Sequence, residues 1–204
     1  MPEMTRLICK RQISLFFYRK GEIPVADSNI TKRALANALK EQLEIEPFSK
    51  ISISDICDRC EMNRKSFYYH FRDKYDLVNW LFDAEFTAFL RKCENGGTWD
   101  FFAALCGYLY ENRVFYRKIL AVRGQDSFYE HLRGYLRPFL QEPLSEISGQ
   151  TEAPPIYMDF FTDSLSCTIE RWLLQKDCQA PTQFVASLKD LLLHTANYIC
   201  EKLD

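Results

Sequence analysis

Residues 52–74 of this 204-residue chain read SISDICDRCEMNRKSFYYHFRDK. Ser52 and Asn63 are residue types that cap helices, and each precedes a short stretch with helical spacing. The predicted helices cover about 53–60 and 64–71, and the turn Glu61-Met62-Asn63 joins them. Two short helices joined in this way have the dimensions of a helix-turn-helix. The segment therefore predicts a DNA-binding motif whose second helix enters a major groove.

The second helix can be oriented from its aromatic residues. Phe67 and Phe71 lie one turn apart and are predicted to face the core, so Lys65 and Tyr69 point to the opposite side. Ser66 and Tyr68 flank that outward face. A cation, a hydroxyl and two phenols suit hydrogen bonds to base edges and phosphates. The alternative is an ordinary surface helix of a bundle, and spacing alone leaves both interpretations open.

Contacts to DNA phosphate are expected at two helix N-termini. Asn63 and Arg64 begin the second helix, where unpaired backbone N–H groups and the helix dipole favour an anion. Lys74 begins a further helix, for which Asp73 is the predicted cap, and it supplies a cation for the DNA backbone.

The charge distribution fits a polyanionic partner for the first part of the chain. The whole chain has a net charge of −2. Residues 1–75 hold 14 Lys and Arg against 10 Asp and Glu, whereas residues 76–204 hold 12 against 18. A basic N-terminal third on an acidic body indicates that the first part meets a nucleic acid.

The rest of the chain also shows helical spacing, so the predicted fold class is all-α. Further helices are expected near residues 31–44, 74–93, 98–111, 113–122, 126–140, 155–176 and 182–202. The segment Glu142–Pro155, with three Pro and one Gly, is predicted to be a mobile loop. The predicted organisation is a poorly ordered extension over 1–28, a DNA-binding domain over 29–75 and a helical regulatory and dimerisation domain over 76–204. Val25 is a candidate alternative start.

Composition argues against several other classes of protein. No apolar run reaches the ~18 residues of a transmembrane helix. The short apolar run near the N-terminus lacks the length and cleavage site of a secretory signal. The eight Cys are therefore expected to be reduced thiols in a cytoplasmic protein. Cys57 and Cys60 are spaced as in a redox or zinc motif, but a second ligand pair is missing, so we expect them to pack in the core.

No constellation of residues predicts catalysis, a metal site or a cofactor. The three His, His70, His131 and His194, are isolated from residues that would complete a triad. The chain is therefore predicted not to be an enzyme, although spatial partners of a histidine are invisible at this stage.

The helix-turn-helix residues also resemble a known family. From Thr31 to Leu81 the sequence is similar to the TetR/AcrR family of bacterial transcription regulators. The motif is carried by Ser52, by Asp55-Ile56-Cys57 and by Phe71-Arg72-Asp73-Lys74. The segment from Met62 to Phe71 is most similar to the subgroup of the dihydroxyacetone-kinase operon activator. The resemblance implies an N-terminal three-helix DNA-binding module and a C-terminal body that binds a ligand and dimerises.

Residue roles then follow from matching positions. Lys65 and Tyr69 are expected at base edges. The expected backbone contacts are Ser52, Asn63, Arg64, Ser66, Tyr68, His70 and Lys74, and the expected core residues are Ile56, Met62, Phe67 and Phe71. Glu61 departs from the pattern because the turn usually holds Gly there. If Glu61 has a positive φ, the turn costs about 1 kcal/mol.

The resemblance further implies a homodimer and an effector. The expected dimer interface consists of the apolar stripes of the last two helices: Phe160, Phe161, Leu165, Ile169, Trp172, Phe184, Leu188, Leu191, Leu192, Thr195 and Tyr198. The many aromatic residues of the body either fill a core or line an effector cavity, and the effector is a small molecule or a protein. The predicted function is a regulator that binds a palindromic operator as a dimer. The alternative is a helical protein-interaction adaptor with a degenerate DNA-binding module.

Overall fold

The computed structural model describes residues 26–90, 97–122, 124 and 127–203. Residues 1–25 of the predicted extension therefore lie outside the described residues. The described residues form helices and no strand, which confirms the all-α fold class. The helices are α1 (Ala26–Ile45), α2 (Ile53–Arg59), α3 (Arg64–His70), α4 (Lys74–Leu90), α5 (Thr98–Glu111), α6 (Arg113–Leu120), α7 (Phe128–Ser148), α8 (Pro155–Leu174) and α9 (Pro181–Leu203).

Helices α1, α2 and α3 form a small module around one apolar core. Leu35 and Leu39 of α1 are fully buried, as are Ile56 of α2 and Phe67 of α3. Helix α1 packs against α2, α3 and α4. It begins five residues before the start that apolar spacing predicts at Thr31.

Helix α4 connects this module to the body. Asp73 caps it as predicted, because its Oδ1 accepts hydrogen bonds from the backbone N–H groups of Tyr75 (2.8 Å) and Asp76 (2.9 Å). Near its start, Trp80 packs against the Phe71 ring of the module, with ring centroids 5.7 Å apart. Two and six residues further on, Phe82 and Phe86 point into the body and are fully buried. One helix thus belongs to both cores.

The body is centred on buried aromatic side chains. The Phe82 ring contacts several of them, at centroid distances of 5.1 Å to Phe128 and 5.2 Å to Tyr135. Phe101 and Phe139 stack with a centroid distance of 3.6 Å. Edge-to-face and offset pairs of this kind contribute about 0.5–1.5 kcal/mol each beyond burial. These rings form a packed core.

Helix α7 corrects the predicted loop over Glu142–Pro155, because the helix continues to Ser148 with Pro138 and Pro143 inside it. An interior proline costs about 3 kcal/mol, since it removes a backbone donor and crowds the preceding turn. Burial offsets that cost. The side chains of Phe139, Leu140 and Leu144 lie in the core, and each contributes about 1.5–3 kcal/mol. The helix ends at Gly149, whose φ of 65° suits a left-handed C-cap.

The last two helices pack onto the outside of this body, α8 on α7 and α9 on α5. Ion pairs join α7 to α8 at their solvent edge, from Arg133 to Asp163 and from Arg137 to Asp159. Trp172 of α8 stacks on Phe184 of α9 with ring centroids 4.5 Å apart. Within the described part of the chain, no helix is both long and apolar enough to span a membrane.

Candidate nucleic-acid interface

Helix α3 begins and ends as its sequence predicts. Asn63 is the N-cap, and its side-chain oxygen accepts a hydrogen bond from the Ser66 backbone N–H at 2.9 Å. Phe67 and Phe71 are buried, which confirms the phasing of the helix. Met62, in the turn before it, is half-buried against the same core. The core side of the helix therefore fixes which residues reach solvent.

The opposite side of α3 carries the predicted DNA-facing residues. Lys65 is exposed, and Tyr69 has 83% of its surface exposed. Tyr68 is 50% exposed, and Ser66 is half-buried at the edge of the face. An exposed phenol pair beside a cation offers two hydroxyl groups and an ammonium to a groove. The geometry meets what major-groove readout by a helix requires.

Arg64 and Tyr68 form a contact that the sequence analysis missed. The Arg64 guanidinium donates a hydrogen bond to the Tyr68 hydroxyl at 3.1 Å and lies 5.7 Å from the ring centroid. The two residues are four apart on a helix, and this spacing was the available signal. The contact holds the Tyr68 ring and places the Arg64 charge over the first turn of α3.

Ser52 starts α2 through a reciprocal capping box. Its hydroxyl accepts from the Asp55 backbone N–H at 3.2 Å, and the Asp55 carboxylate accepts from the Ser52 backbone N–H at 2.7 Å. These hydrogen bonds lower the pKa of the Asp55 carboxyl. The exposed Ser52 side chain thus fixes the start of the helix, beside any phosphate contact it makes.

Lys74 is turned inward and does not lie on an exposed cationic surface as expected. Its ammonium donates to the backbone carbonyls of Phe48 (2.7 Å) and Ile51 (2.7 Å), and a third, longer contact of 3.4 Å reaches Ser49. Burial lowers the pKa of Lys74. Those carbonyls belong to the connection between α1 and α2, 23–26 residues away in sequence, so no local pattern could have indicated the contact. We therefore assign Lys74 the role of holding this connection in place.

His70 lies at the end of α3 in a half-buried position. Its ring packs edge-on against Tyr69, with centroids 4.9 Å apart. Burial and, to a smaller extent, the nearby charge of Lys32 lower the pKa of His70 below its ordinary value of 6.5. The ring is therefore neutral at pH 7 and supports Tyr69 without adding a charge to the face.

The turn before α3 holds Glu61 in the strained conformation that the sequence analysis considered. This residue has a φ of 55°, and among the described residues it is the only one other than glycine with a positive φ. Helix α2 still closes normally, because the Met62 backbone N–H donates to the Cys57 carbonyl at 2.9 Å. The turn is strained but its hydrogen bonding is retained.

Cys57 and Cys60 are placed as core residues. Cys57 is buried, and the half-buried Cys60 thiol lies 3.3 Å from the Ile56 carbonyl, to which it donates. Burial raises the pKa of both thiols. A raised pKa keeps them protonated at neutral pH, which disfavours the thiolate that redox exchange and zinc binding need.

The expected dimer residues divide into two groups. Five of them are buried within their own chain, which corrects their assignment to the interface: Leu165, Ile169, Trp172, Phe184 and Leu188. Helix α8 carries apolar residues on two faces, and periodicity alone cannot tell which face meets the body; on α9 it cannot tell how far along the helix the apolar stripe is covered. Phe160, on the opposite face of α8, is 63% exposed. On α9, Leu191 (62% exposed) and Tyr198 (64% exposed) continue the stripe of Phe184 and Leu188 towards the C-terminal end. Thr195 is exposed, and Phe161 and Leu192 are half-buried.

The exposed face of α8 extends beyond the predicted residues. Ile156, Tyr157 and Leu174 are exposed on the same helix. We call these three side chains, together with Phe160, Leu191 and Tyr198, the α8–α9 surface, since all six are exposed large apolar residues of the two helices. An exposed apolar surface of this kind is typical of a protein–protein interface.

Two family profiles match the chain. The profile described as bacterial regulatory proteins, tetR family, matches residues 32–81, which contain the helix-turn-helix. The profile described as a transcriptional regulator C-terminal region of the same family matches residues 97–194. The chain belongs to the TetR family. It is therefore a member of a family of DNA-binding transcriptional regulators, and the capped α2–α3 pair is its DNA-binding motif.

Individual TetR relatives agree with this assignment. The HTH-type dhaKLM operon transcriptional activator DhaS of Lactococcus lactis is 30% identical over 105 residues, 51% of this chain and 54% of the relative. The matched region thus spans about half the length of that relative. Solved structures show the shared fold. For a dihydroxyacetone kinase operon activator DhaS the TM-score is 0.56 at 20% identity, covering 81% of this chain and 96% of that one. For a TetR regulator from Streptococcus agalactiae it is 0.60 at 19% identity, covering 79% and 92%.

Proposed function

We propose that this chain binds a palindromic operator as a homodimer and regulates transcription in the cytoplasm without catalysing a reaction. The observation that carries the proposal is the outward face of α3. Lys65 and the 83% exposed Tyr69 lie there, opposite the buried Phe67. Lys65 and Tyr69 read base edges, while Arg64, Ser66 and Tyr68 contact the DNA backbone with the N-terminal turn of α3.

The α8–α9 surface supports the dimeric form of this proposal. Its members Phe160, Leu191 and Tyr198 are each more than 60% exposed, and burying such side chains against a second copy is favourable by roughly 25 cal/mol per Å². A two-fold axis through this surface would place two α3 helices about 34–36 Å apart, one turn of B-DNA. The palindrome of the proposed operator reflects that symmetry.

A dimer that responds to an effector is the regulatory part of the proposal. An effector that prefers one separation of the two α3 helices shifts the population toward or away from the form that binds DNA. The aromatic body, with Phe82 at its centre, is packed, which favours an effector site outside that core.

Fluorescence anisotropy tests operator binding. The duplexes are the intergenic DNA upstream of the gene and a shuffled duplex of the same composition, titrated across a salt series. Binding that depends on a palindrome and exceeds binding to the shuffled duplex by a factor of about 10³ or more is the expected result. Equal, weak binding to both would favour the adaptor function, in which the strained Glu61 turn belongs to a degenerate module.

Sedimentation of two matched variants tests the dimer. Leu191→Glu places a charge on the α8–α9 surface and should convert the dimer to a monomer, because an unpaired charge at a buried interface is strongly unfavourable. Val114→Glu is the control, since Val114 is 69% exposed on α6. It should leave the dimer intact. A Leu191→Glu protein that stays dimeric would remove this surface from the interface.

A further inference from the structure

A cleft lies between the DNA-binding module and the body, away from the outward face of α3. Its walls are residues 33–40 of α1, 80–89 of α4 and 108–112 of α5, and its volume is about 480 Å³. Small-molecule sites commonly have volumes of about 300–1,000 Å³. Because one wall belongs to the module and two belong to α4 and the body, a molecule in this cleft would touch both parts of the chain.

One side of the cleft is already occupied by a hydrogen-bonded chain of side chains. The Lys40 ammonium donates to Glu85 at 2.6 Å, and the Tyr108 hydroxyl donates to the other oxygen of Glu85 at 2.9 Å. The Tyr108 and Tyr116 hydroxyls lie 2.8 Å apart. Burial raises the pKa of Tyr108, so both phenols stay neutral. Lys40 and Glu85 thus neutralise each other.

Two opposite charges remain without a partner at the cleft. Arg33 and Glu111 both line it and are exposed. In the part of the chain that the structure describes, neither takes part in an ion pair or a side-chain hydrogen bond. Glu111 also lines the adjoining cleft beside Lys40, which places it at the Lys40 end. Arg33 precedes Lys40 by seven residues, about 10 Å along the helix at 1.5 Å per residue.

The space between these charges has both polar and aromatic walls. Asn37 lies between Arg33 and Lys40 on the same face of α1, at the spacing i, i+4, i+7. Trp80 and Phe89 line the cleft from α4. An amide that can both donate and accept suits a peptide group, and aromatic rings favour an apolar or aromatic side chain. Three residues of extended peptide span about 10 Å, which matches the length of the α1 wall from Arg33 to Lys40.

We propose that this cleft binds a free tripeptide that carries an aromatic side chain. Arg33 holds its terminal carboxylate, Glu111 its terminal ammonium and Asn37 a peptide group, while the ring packs against Trp80 and Phe89. Its action as the effector rests on the proposed function. A bound peptide would span α1 and α5 and so fix the position of the DNA-binding module relative to the body.

Calorimetry on the full chain without DNA tests the site. The probe is Ala-Phe-Ala, compared with its N-acetylated form, its C-terminal amide and Ala-Ala-Ala. Each modified peptide should bind at least about 10-fold more weakly, because each loses one charge-assisted hydrogen bond or the ring contact. Absence of heat with Ala-Phe-Ala at concentrations up to about 10 mM, well above the weakest useful affinity, overturns the proposal.

Charge-neutralising variants test which residue binds each terminus of the peptide. Arg33→Gln should weaken Ala-Phe-Ala about 10-fold yet leave the C-terminal amide unchanged, and Glu111→Gln should do the same for the N-acetylated peptide. Lys50→Gln and Glu46→Gln are matched controls, since both residues are exposed and outside the cleft. Equal losses in variants and controls would overturn the assignment.

A cleft-filling variant and an operator titration separate this inference from the proposed function. Ala84 is exposed and lines the cleft, so Ala84→Phe should abolish peptide binding without disturbing the core. Operator binding of the same preparations is measured by anisotropy. In the unsubstituted protein, intact operator binding with no binding of Ala-Phe-Ala overturns the tripeptide site alone. Peptide binding without operator binding supports the site and overturns the regulatory function.

Discussion

The DNA-binding module and the aromatic body are stabilised in two different ways. In the module, Ser52 and Asn63 fix the helix ends through bonds to backbone groups three residues away. In the body, Phe82 contacts rings from α5, α6 and α7. Local bonds determine where a short helix begins, whereas packing between distant elements determines how far a long helix runs. The comparison teaches that the two parts should respond differently to mutation.

Truncation of the central aromatic residue of the body should have the largest effect. Phe82→Ala leaves a cavity among six neighbouring rings, and we expect the free energy of unfolding to fall by about 3–5 kcal/mol. Urea denaturation followed by circular dichroism measures it. The exposed Val114→Ala serves as the control. A loss below about 1 kcal/mol would mean that the body collapses around the cavity and that aromatic packing is not its main support.

Loss of the Lys74 ammonium tests a long-range polar contact that ties α4 to the connection between α1 and α2. Lys74→Met should lower the free energy of unfolding by about 1.5–3 kcal/mol, because two carbonyls lose a charged donor. The exposed Lys50→Met is the matched control and should change it by less than about 0.5 kcal/mol. If Lys74→Met is equally neutral but weakens binding to every duplex, the ammonium contacts phosphate, as the family resemblance implies.

The outward face of α3 gives the prediction specific to DNA. Tyr69→Ala should weaken operator binding by about 1–3 kcal/mol and relax its sequence preference. The free energy of unfolding should stay unchanged, because the side chain is 83% exposed. Fluorescence anisotropy on operator and shuffled duplexes measures both the operator affinity and the sequence preference. Equal losses on the two duplexes would contradict a role for Tyr69 in reading base edges.

A substitution in the turn between α2 and α3 should have the smallest effect on the free energy of unfolding, and it should raise this free energy. Glu61→Gly removes the strain of a φ of 55°, and we expect a gain of about 0.5–1 kcal/mol, partly offset by the greater freedom of glycine when unfolded. Thermal denaturation measures the gain. Glu46→Gly, outside this turn, should give none. A destabilised Glu61→Gly protein would show that the Glu61 side chain stabilises the turn.

The difference between the two parts also explains what the sequence could predict. The caps Ser52, Asn63 and Asp73 and the core residues Phe67 and Phe71 all depend on neighbours within one or two turns, and the structure confirms them. The inward orientation of Lys74 depends on carbonyls more than 20 residues away. No local pattern contains that information.

In the body, the wrong predictions also arise from contacts between residues that are distant in the sequence. Pro143 and the residues up to Pro155 predict a loop, but the burial of neighbouring side chains against α8 keeps the helix intact to Ser148. Trp172 and Phe184 carry the spacing of an interface, yet they stack on each other inside one chain. Which of two apolar faces is covered depends on the tertiary arrangement, and the sequence pattern is the same in either case.

If the outward face of α3 meets DNA as proposed, its phenols affect how the protein is shared between one operator and the rest of a genome. Tyr68 and Tyr69 occupy positions on α3 where additional cations would release counterions from any duplex, whatever its sequence. Phenols release none, so in the proposed complex attraction to random DNA would stay low while Tyr69 could still hydrogen-bond to base edges. The competing sites of a genome would then sequester fewer molecules, and fewer copies of the protein would be needed to occupy the proposed operator.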